Sequence, residues 1–411
     1  MRYAVIGKSL PHTLSPSLHN SLGNLSYGVR EFETEEALAK FVKSHECKGY
    51  NVTIPYKQTV IPLLDFVDEA AKIIGAVNTV VDVDGKLYGY NTDIDGVEFA
   101  FKTAGIEVRD KNVLILGSGG TAKTMRYFLE KHGAKSIGIV SRTGELNYEN
   151  VYDKADTQIV VNTTPVGTLS IEKPLNLALF ENLEGVFDTI YNPLETALVR
   201  QARRLGVNAA NGLAMLVEQG RVAHNLYAKA DDSLPVQDEA KTLEIVRKMT
   251  NDRQNVVLVG MAGCGKSTIG KLVAEKLCKT FVDLDEEIER KTGESIPQIF
   301  EESGEAGFRQ IESEIVAEFG LRAGQVIATG GGAVLFERNV EYLKANGTLF
   351  FVKRDLERLA REGRPLSKDL ETVKKLYEER EPIYKSVADF EIENNGEIHD
   401  TVVMICNALH W

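Results

Sequence analysis

The chain has 411 residues, more than one hydrophobic core usually serves, so two or three domains are expected. With 43% hydrophobic and 26% charged residues and no apolar run of about 18 residues, the composition is that of a globular chain and excludes a bundle of membrane-spanning helices. Acidic residues outnumber basic ones 60 to 48, and the net charge of -12 argues against a general affinity for nucleic acid or anionic lipid, so local basic groups must hold any anionic ligand.

The opening MRYAVIGKSL lacks the long apolar run of a secretory signal, and a cytoplasmic location is expected. The 4 cysteines lie far apart with no paired spacing, which argues against a zinc site or a disulfide framework. Short β-like runs alternate with helical patterns along the whole chain, a rhythm that implies parallel sheets wrapped by helices in an α/β fold.

The first strand, YAVIG, leads into HTLSPSLHN (12–20), which offers hydroxyls at Thr13 and Ser15. YNVTIP alternates Asn51 and Thr53 and is followed by Lys57, and the polar GAVNT and NTD segments then bring Asn78 and Asp93. His12 and His19 are expected to be loop or structural histidines, and none of the 7 histidines reads as a metal ligand.

Further on, the strand NVLILG runs into Gly117-Ser118-Gly119-Gly120-Thr121-Ala122 and then a helical pattern. Glycines at such a turn let the backbone approach a pyrophosphate at a helix N-terminus, with Ala122 where the third glycine usually stands. A tight strand-to-helix turn without a ligand is the other reading of this loop alone. The next strand, SIGIVSR, ends in Ser141-Arg142-Thr143 instead of an acidic residue; a cation flanked by hydroxyls suits a ribose 2′-phosphate, hence NADP(H) over NAD. DTIYNP, with Tyr191, and the helical GLAMLVEQ, from Gly212 to Gln219, follow. A polar stretch over 228–254 reads as a turn, an amphipathic helix and a short linker, which places the main boundary near residue 250.

After it, the strand NVVLVG opens Gly260-Met261-Ala262-Gly263-Cys264-Gly265-Lys266-Ser267-Thr268. This fits G-x-x-x-x-G-K-[ST], in which backbone N–H groups surround phosphate oxygens, Lys266 reaches the outer phosphates and the Ser267 hydroxyl can ligate magnesium. The motif calls for a nucleoside triphosphate but leaves the phosphate acceptor open. Asp283 and Asp285 are expected at the end of the strand FVDLD, on the ligand edge of a parallel sheet. Gly304-Glu305-x-x-Phe308-Arg309, Gly330-Gly331-Gly332, Arg364-Pro365-Leu366 and Arg380-x-Pro382-x-Tyr384 complete the series.

In the order and spacing of these motifs, residues 1–250 resemble shikimate dehydrogenase and residues 254–411 resemble shikimate kinase. The resemblance implies a substrate subdomain (1–100 and 212–250) around a Rossmann NADP-binding subdomain (101–211), followed by a P-loop NTPase domain of the nucleoside monophosphate kinase type. It implies that Lys57 and Asp93 form a catalytic pair, that Thr13 and Ser15 hold the substrate carboxylate, and that Tyr191 sits between substrate and nicotinamide. Asn51, Thr53, Asn78 and Gln219 would bind ring hydroxyls or line the pocket. Gly117 to Ala122, Ser141 to Thr143 and Gly212 would serve the cofactor. The family usually has serine at Thr13 and often a second basic residue beyond Arg142, where this chain has Gly144-Glu145-Leu146.

For the second half, the resemblance implies ATP on residues 260–268, with Lys266 catalytic and magnesium held by Ser267 with Asp283 behind it. Asp285 would bind the shikimate hydroxyls and accept a proton. Arg309 and Arg380 would grip the carboxylate, while the glycines 330–332 let the ring approach. Arg364 would act from a closing lid, and that lid is short for the family, which bears on Arg361 as an adenine-side contact. The implied reactions run from 3-dehydroshikimate with NADPH to shikimate, and from shikimate with MgATP to shikimate 3-phosphate. Two other readings stay open: a dehydrogenase acting mainly on quinate with NAD, and one half serving as a non-catalytic sensor.

Overall fold

The computed structural model describes residues 2–11, 13–24, 26–359 and 370–409. The chain divides into two compact units: residues 1–166, 173–191 and 198–248 form the first, and residues 249–411 with 167–172 and 192–197 form the second. No helix among the described residues is long and apolar enough to cross a membrane.

The first unit contains two sheets. One is built from β1 (Tyr3–Gly7), β2 (Tyr27–Glu31), β3 (Gly49–Val52), β4 (Phe66–Val67), β5 (Thr79–Val83) and β6 (Lys86–Tyr90), in the order β2-β1-β3-β5-β6-β4. It is mixed, because β5 runs antiparallel to both β3 and β6. This corrects the expectation of parallel sheets throughout. The physical cause is the dipeptide between β5 and β6: Asp84 and Gly85 both take positive φ, 52° and 78°, the combination that a type I′ hairpin turn requires. The signal was present in the sequence as Asp-Gly between alternating residues.

The second sheet contains β7 (Asn112–Leu116), β8 (Ser136–Val140), β9 (Ile159–Asn162), β10 (Gly185–Asp188) and β11 (Asn208–Ala210), in the order β11-β10-β9-β7-β8. All its strands are parallel. From β7 the chain crosses to β8 on one side and then to β9 on the other, so the glycine-rich turn after β7 lies at the switch point where such sheets open a crevice. The helices Asp93–Ala104 and Leu213–Ala230 pack closely: a β-carbon on Gly96 would lie 2.5 Å from the Met215 carbonyl oxygen. That approach sets the start of one helix, with Asp93, beside the middle of the other, with Gln219.

The stretch expected to hold a linker is a helix, Glu239–Arg253, and Gln254 alone separates it from the next strand. The second unit is built on β12 (Asn255–Val259), β13 (Thr280–Asp283), β14 (Gln325–Ala328), β15 (Gly347–Lys353) and β16 (Phe390–Glu393), parallel and in the order β13-β14-β12-β15-β16. β12 is central and its four apolar side chains, Val256 to Val259, are fully buried. Burial of each contributes about 1.5–3 kcal/mol by transfer from water, which anchors the loop that follows.

Candidate active sites

In the first unit, a cavity of about 480 Å³ is lined by residues of β1 and β3, of the start of the helix Gly120–Lys131, of the segment after β10 and of the helix Leu213–Ala230. Its wall includes Thr13, Ser15, Asn51, Thr53, Lys57, Asn78, Asp93, Tyr191 and Gln219, together with Thr121 from the glycine-rich turn and Gly212. Residues scattered from 13 to 219 thus meet on one surface. Lys57 stands in the turn after β3, held by Val77 N–H donating to its carbonyl at 2.8 Å, and Asp93 begins the helix Asp93–Ala104. Lys57 Nζ donates to Asp93 Oδ2 at 2.6 Å, and the two side chains are 18% and 10% exposed. One of three ammonium protons is used in this bond, leaving donors for an oxygen in the cavity.

Asn78 organises the carboxylate. Its Nδ2 donates to Asp93 Oδ1 at 2.8 Å and to Thr92 Oγ1 at 3.0 Å, and its Oδ1 accepts the Thr92 N–H at 2.7 Å. Asn51 is differently placed. Its Oδ1 accepts from the hydroxyls of Tyr27 at 2.7 Å and Tyr227 at 3.0 Å, while its Nδ2 donates to Thr79 Oγ1 at 3.0 Å and the Asn78 carbonyl at 3.4 Å. That is the full capacity of an amide, so Asn51 forms a rigid wall with no group left over. Thr13 Oγ1 and Ser15 Oγ lie 3.2 Å apart, a hydroxyl pair facing the same space.

Tyr27, Thr79, Thr92 and Tyr227 were not singled out in the sequence as site-building residues. Thr79 and Thr92 lie within the GAVNT and NTD segments, whereas the two tyrosines carried no local signal. Beneath them His19 stacks on Tyr27 with ring centres 3.8 Å apart. It is buried, and desolvation first, then neighbouring His224, pushes its pKa down to about 3, so the ring is neutral. His12 lies outside the described residues.

At the cofactor-type turn, Gly117 has φ 104°, and a β-carbon there would lie 2.8 Å from Thr163 Oγ1. The helix Gly120–Lys131 starts at Gly119 with no side-chain cap, so its first amides remain available to an anion. Ala122 is buried in the core with Met125 and Phe128, which explains why a small residue suffices where glycine is usual. Ser118 belongs to this turn, and Ser141, Arg142 and Thr143 follow β8 on the same strand-end edge. Arg142 and Thr143 are exposed, and Arg142 makes no hydrogen bond or ion pair among the described residues.

In the second unit, Gly260, Gly263 and Gly265 take φ of 139°, 86° and 101°, bending the loop from Gly260 to Thr268 between β12 and the helix Lys266–Leu277. Lys266 is buried with Nζ donating to the carbonyls of Gly260 and Met261, both at 2.9 Å. Ser267 Oγ donates to Asp283 Oδ2 at 2.5 Å. Asp283 ends β13, and its other oxygen accepts the Asp285 N–H at 3.1 Å, capping the helix Leu284–Thr292. Asp285 therefore stands in the first helical turn and not at the strand end as expected, because the capping bond turns the chain at Asp283.

The remaining polar groups converge there. A β-carbon on Gly330 would lie 2.8 Å from Asp285 Oδ1 and 2.7 Å from Glu312 Oε1, and one on Gly332 only 2.3 Å from Arg309 Nη2. Arg380 Nη1 donates to the Gly331 carbonyl at 3.3 Å, and so does the Tyr384 hydroxyl. Arg309 pairs with Glu312 at 2.6 Å and with Glu305 at 3.1 Å. Gly304, with φ 67°, interrupts the helix Ile296–Gly320, so Arg309 sits near the start of its second segment. Glu312 is a site residue that the sequence reading missed. Burial pushes its carboxyl pKa up while Arg309 opposes this. Its only sequence signal is a position three residues after Arg309, on the same helical face. The hard oxygens of Ser267 and Asp283 suit a magnesium ion. Arg364 and Arg361 lie outside the described residues.

Residues 5–80 match the family model for the shikimate dehydrogenase substrate binding domain. The shikimate dehydrogenase (NADP(+)) of Clostridium beijerinckii is 38% identical over 247 residues, which cover 55% of this chain and 91% of that protein. The chain belongs to the shikimate dehydrogenase family. Among solved structures, shikimate dehydrogenase 1 of Peptoclostridium difficile is similar with a TM-score of 0.55 and 29% identity, covering 60% of this chain and 97% of that one. The shikimate 5-dehydrogenase of Thermus thermophilus, solved with NADP(H) and shikimate, has a TM-score of 0.53 and 31% identity over 60% of this chain and 99% of that one. Beyond the part that these dehydrogenases cover, residues 262–409 match the family model for shikimate kinase. The chain therefore joins a shikimate dehydrogenase part to a shikimate kinase domain, as the order of its motifs implied.

Proposed function

We propose that the dehydrogenase part, residues 1–250, reduces 3-dehydroshikimate to shikimate with NADPH, and that the kinase part, residues 254–411, converts shikimate to shikimate 3-phosphate with MgATP. The coarser statement, that this is a bifunctional shikimate-pathway enzyme, rests on the two families that the chain combines. The observation that carries the first reaction is the pair Lys57 and Asp93, 2.6 Å apart on a cavity wall that also includes Thr121 of the glycine-rich turn.

Bound NADPH supplies the hydride that turns the ketone into an alkoxide. Lys57 donates the proton that neutralises that oxygen, and Asp93, held by Asn78, keeps the ammonium aimed at it. Thr13 and Ser15 take the carboxylate, Thr53 and Gln219 the ring hydroxyls, and Tyr191 the space between ring and nicotinamide. Asn51 acts as a wall because its amide is already saturated. Arg142 meets the 2′-phosphate and gives the preference for NADP(H) over NAD.

In the kinase part, the loop from Gly260 to Thr268 cradles the phosphates. Asp285 accepts the proton of the attacking hydroxyl, and Arg309 and Arg380 fix the carboxylate bidentately. Ser267, with Asp283 behind it, would hold magnesium, which would neutralise charge on the phosphates. Gly330, Gly331 and Gly332 leave room for the ring, since a side chain would crowd Asp285 and Glu312 at the first, Ala262 and Arg380 at the second and Arg309 at the third. Arg364 is assigned to the closing lid by resemblance alone. A cytoplasmic location is part of the same proposal and agrees with 4 free cysteines.

The test is a two-channel assay on the full chain: NADPH oxidation with 3-dehydroshikimate, and ADP release with shikimate, for wild type, Lys57→Ala and Lys266→Ala. Each substitution is expected to silence its own channel alone. A wild type silent in one channel but still binding that channel's ligands would make that half a sensor.

A further inference from the structure

The geometry points to Arg354 as a further nucleotide-binding residue of the kinase site, gripping the phosphate chain of the nucleoside triphosphate from the β15–β16 side; this rests on the reading of Gly260 to Thr268 as the ATP loop. Arg354 follows directly on β15, which ends at Lys353. Its Nη1 lies 3.7 Å from where a β-carbon on Gly265 would stand, and Gly265 is the residue that opens the helix Lys266–Leu277. The amides of that helix start are the ones that a phosphate chain draws on.

The guanidinium is unspent. Arg354 Nε is shut off from solvent without an acceptor, and Arg354 has no hydrogen bond or ion pair among the described residues. Nearby carboxylates are already engaged: Glu393 with Lys353 at 2.9 Å, and Asp355 with the Asn395 amide at 2.9 Å and with Arg358 at 3.7 Å. Asn394 is tied to the loop itself, donating to the Cys264 carbonyl at 2.8 Å. A free arginine is notable in a chain with 60 acidic and 48 basic residues. A buried N–H on a charged group is costly to leave unpaired, and a planar fork beside a phosphate loop finds its complement in phosphate oxygens.

The experiment uses the full chain with Arg354→Gln and Arg354→Lys. It measures KM for MgATP and for shikimate by ADP release, and the affinity for ADP and for adenosine by calorimetry. Arg354→Gln is expected to raise KM for MgATP roughly tenfold, the loss of one charge-assisted contact. KM for shikimate and adenosine affinity stay unchanged, ADP binding weakens, and Arg354→Lys falls in between. The inference is overturned if KM for MgATP is unaltered, if ADP and adenosine weaken alike, or if both KM values rise together. A wild type that does not phosphorylate shikimate would sink the kinase reading instead, while the ADP titration still reports on Arg354.

Discussion

A β-carbon on Gly212 would stand 2.0 Å from the Thr189 carbonyl oxygen, whereas one on Gly85 would meet nothing within 4 Å. The first glycine is required by its neighbours and the second by its own backbone, at φ 78°. Gly212→Ala must displace the segment after β10 that lines the cavity. It is expected to destabilise the dehydrogenase part by about 1–3 kcal/mol and to lower its kcat/KM with the kinase channel intact. Gly85→Ala should cost about 1 kcal/mol of stability and leave kcat unchanged, since it lies outside the cavity wall. Urea unfolding followed by residual dehydrogenase activity separates the two.

His19 makes a prediction about pH. Its folded pKa is depressed to about 3 from an ordinary 6.5, so below pH 6.5 the unfolded chain takes up a proton that the folded chain refuses. Stability is unaffected by this group above pH 6.5 and declines as pH falls from there toward 3. From pH 6.5 to 5 the loss is about 2 kcal/mol. Asp231 adds to it at lower pH. Its carboxyl is held well below the usual range, first by the Ser233 hydroxyl, so the stability it contributes is present above 3.8 and is lost below it. In His19→Phe the urea midpoint for loss of dehydrogenase activity should drop less between pH 7 and 5 than in wild type; an equal drop would refute the assignment to His19.

At the scale of elements, Asp283 joins two functions at one strand end. One oxygen caps the helix Leu284–Thr292, and the other accepts the Ser267 hydroxyl beside the phosphate loop. Substitutions separate these roles. Asp283→Ala loses both, costing about 1 kcal/mol of stability in the kinase part. Asp283→Asn keeps a capping oxygen and most of the stability but removes the charge behind Ser267, so kinase turnover should fall roughly 10 to 100-fold in either variant. Thermal unfolding with both channel assays reads the difference, and unequal kinase losses with equal stabilities would contradict it. The hairpin β5–β6 belongs to the same scale. It makes one sheet mixed: Thr79 stands opposite Asn51 of β3 and Tyr90 opposite Thr79, and Asn78 and Asp93, at the two ends of the hairpin, lie on the same cavity wall as Lys57.

For the whole molecule, the described residues proposed for each reaction fall within one unit, so the two channels should be separable. An equal mixture of Lys57→Ala and Lys266→Ala chains is expected to convert 3-dehydroshikimate to shikimate 3-phosphate, because free shikimate can pass from one chain to another. If intermediate is released to solvent, the wild type shows a lag in the coupled reaction that matches the mixture at equal site concentration. Absence of the lag in the wild type alone would show direct transfer.

The sequence by itself determined the α/β class, the two families, both glycine-rich loops and most of the residues on the cavity wall. These signals are local: a strand, a turn whose glycines need unusual φ, and a helix follow one another along the chain. Only the tertiary structure decided which distant groups meet and which are already spent. Lys57 and Asp93 are 36 residues apart, Asn78 and Gln219 are 141 apart, and Asn51 and Tyr227 are 176 apart, yet each pair lies within hydrogen-bonding distance. The saturation of the Asn51 amide, the burial of Glu312 and the unpaired Arg354 leave no mark on sequence pattern. Each depends on what neighbouring elements bring alongside, since hydrogen-bond capacity and desolvation are properties of an environment and not of a residue type.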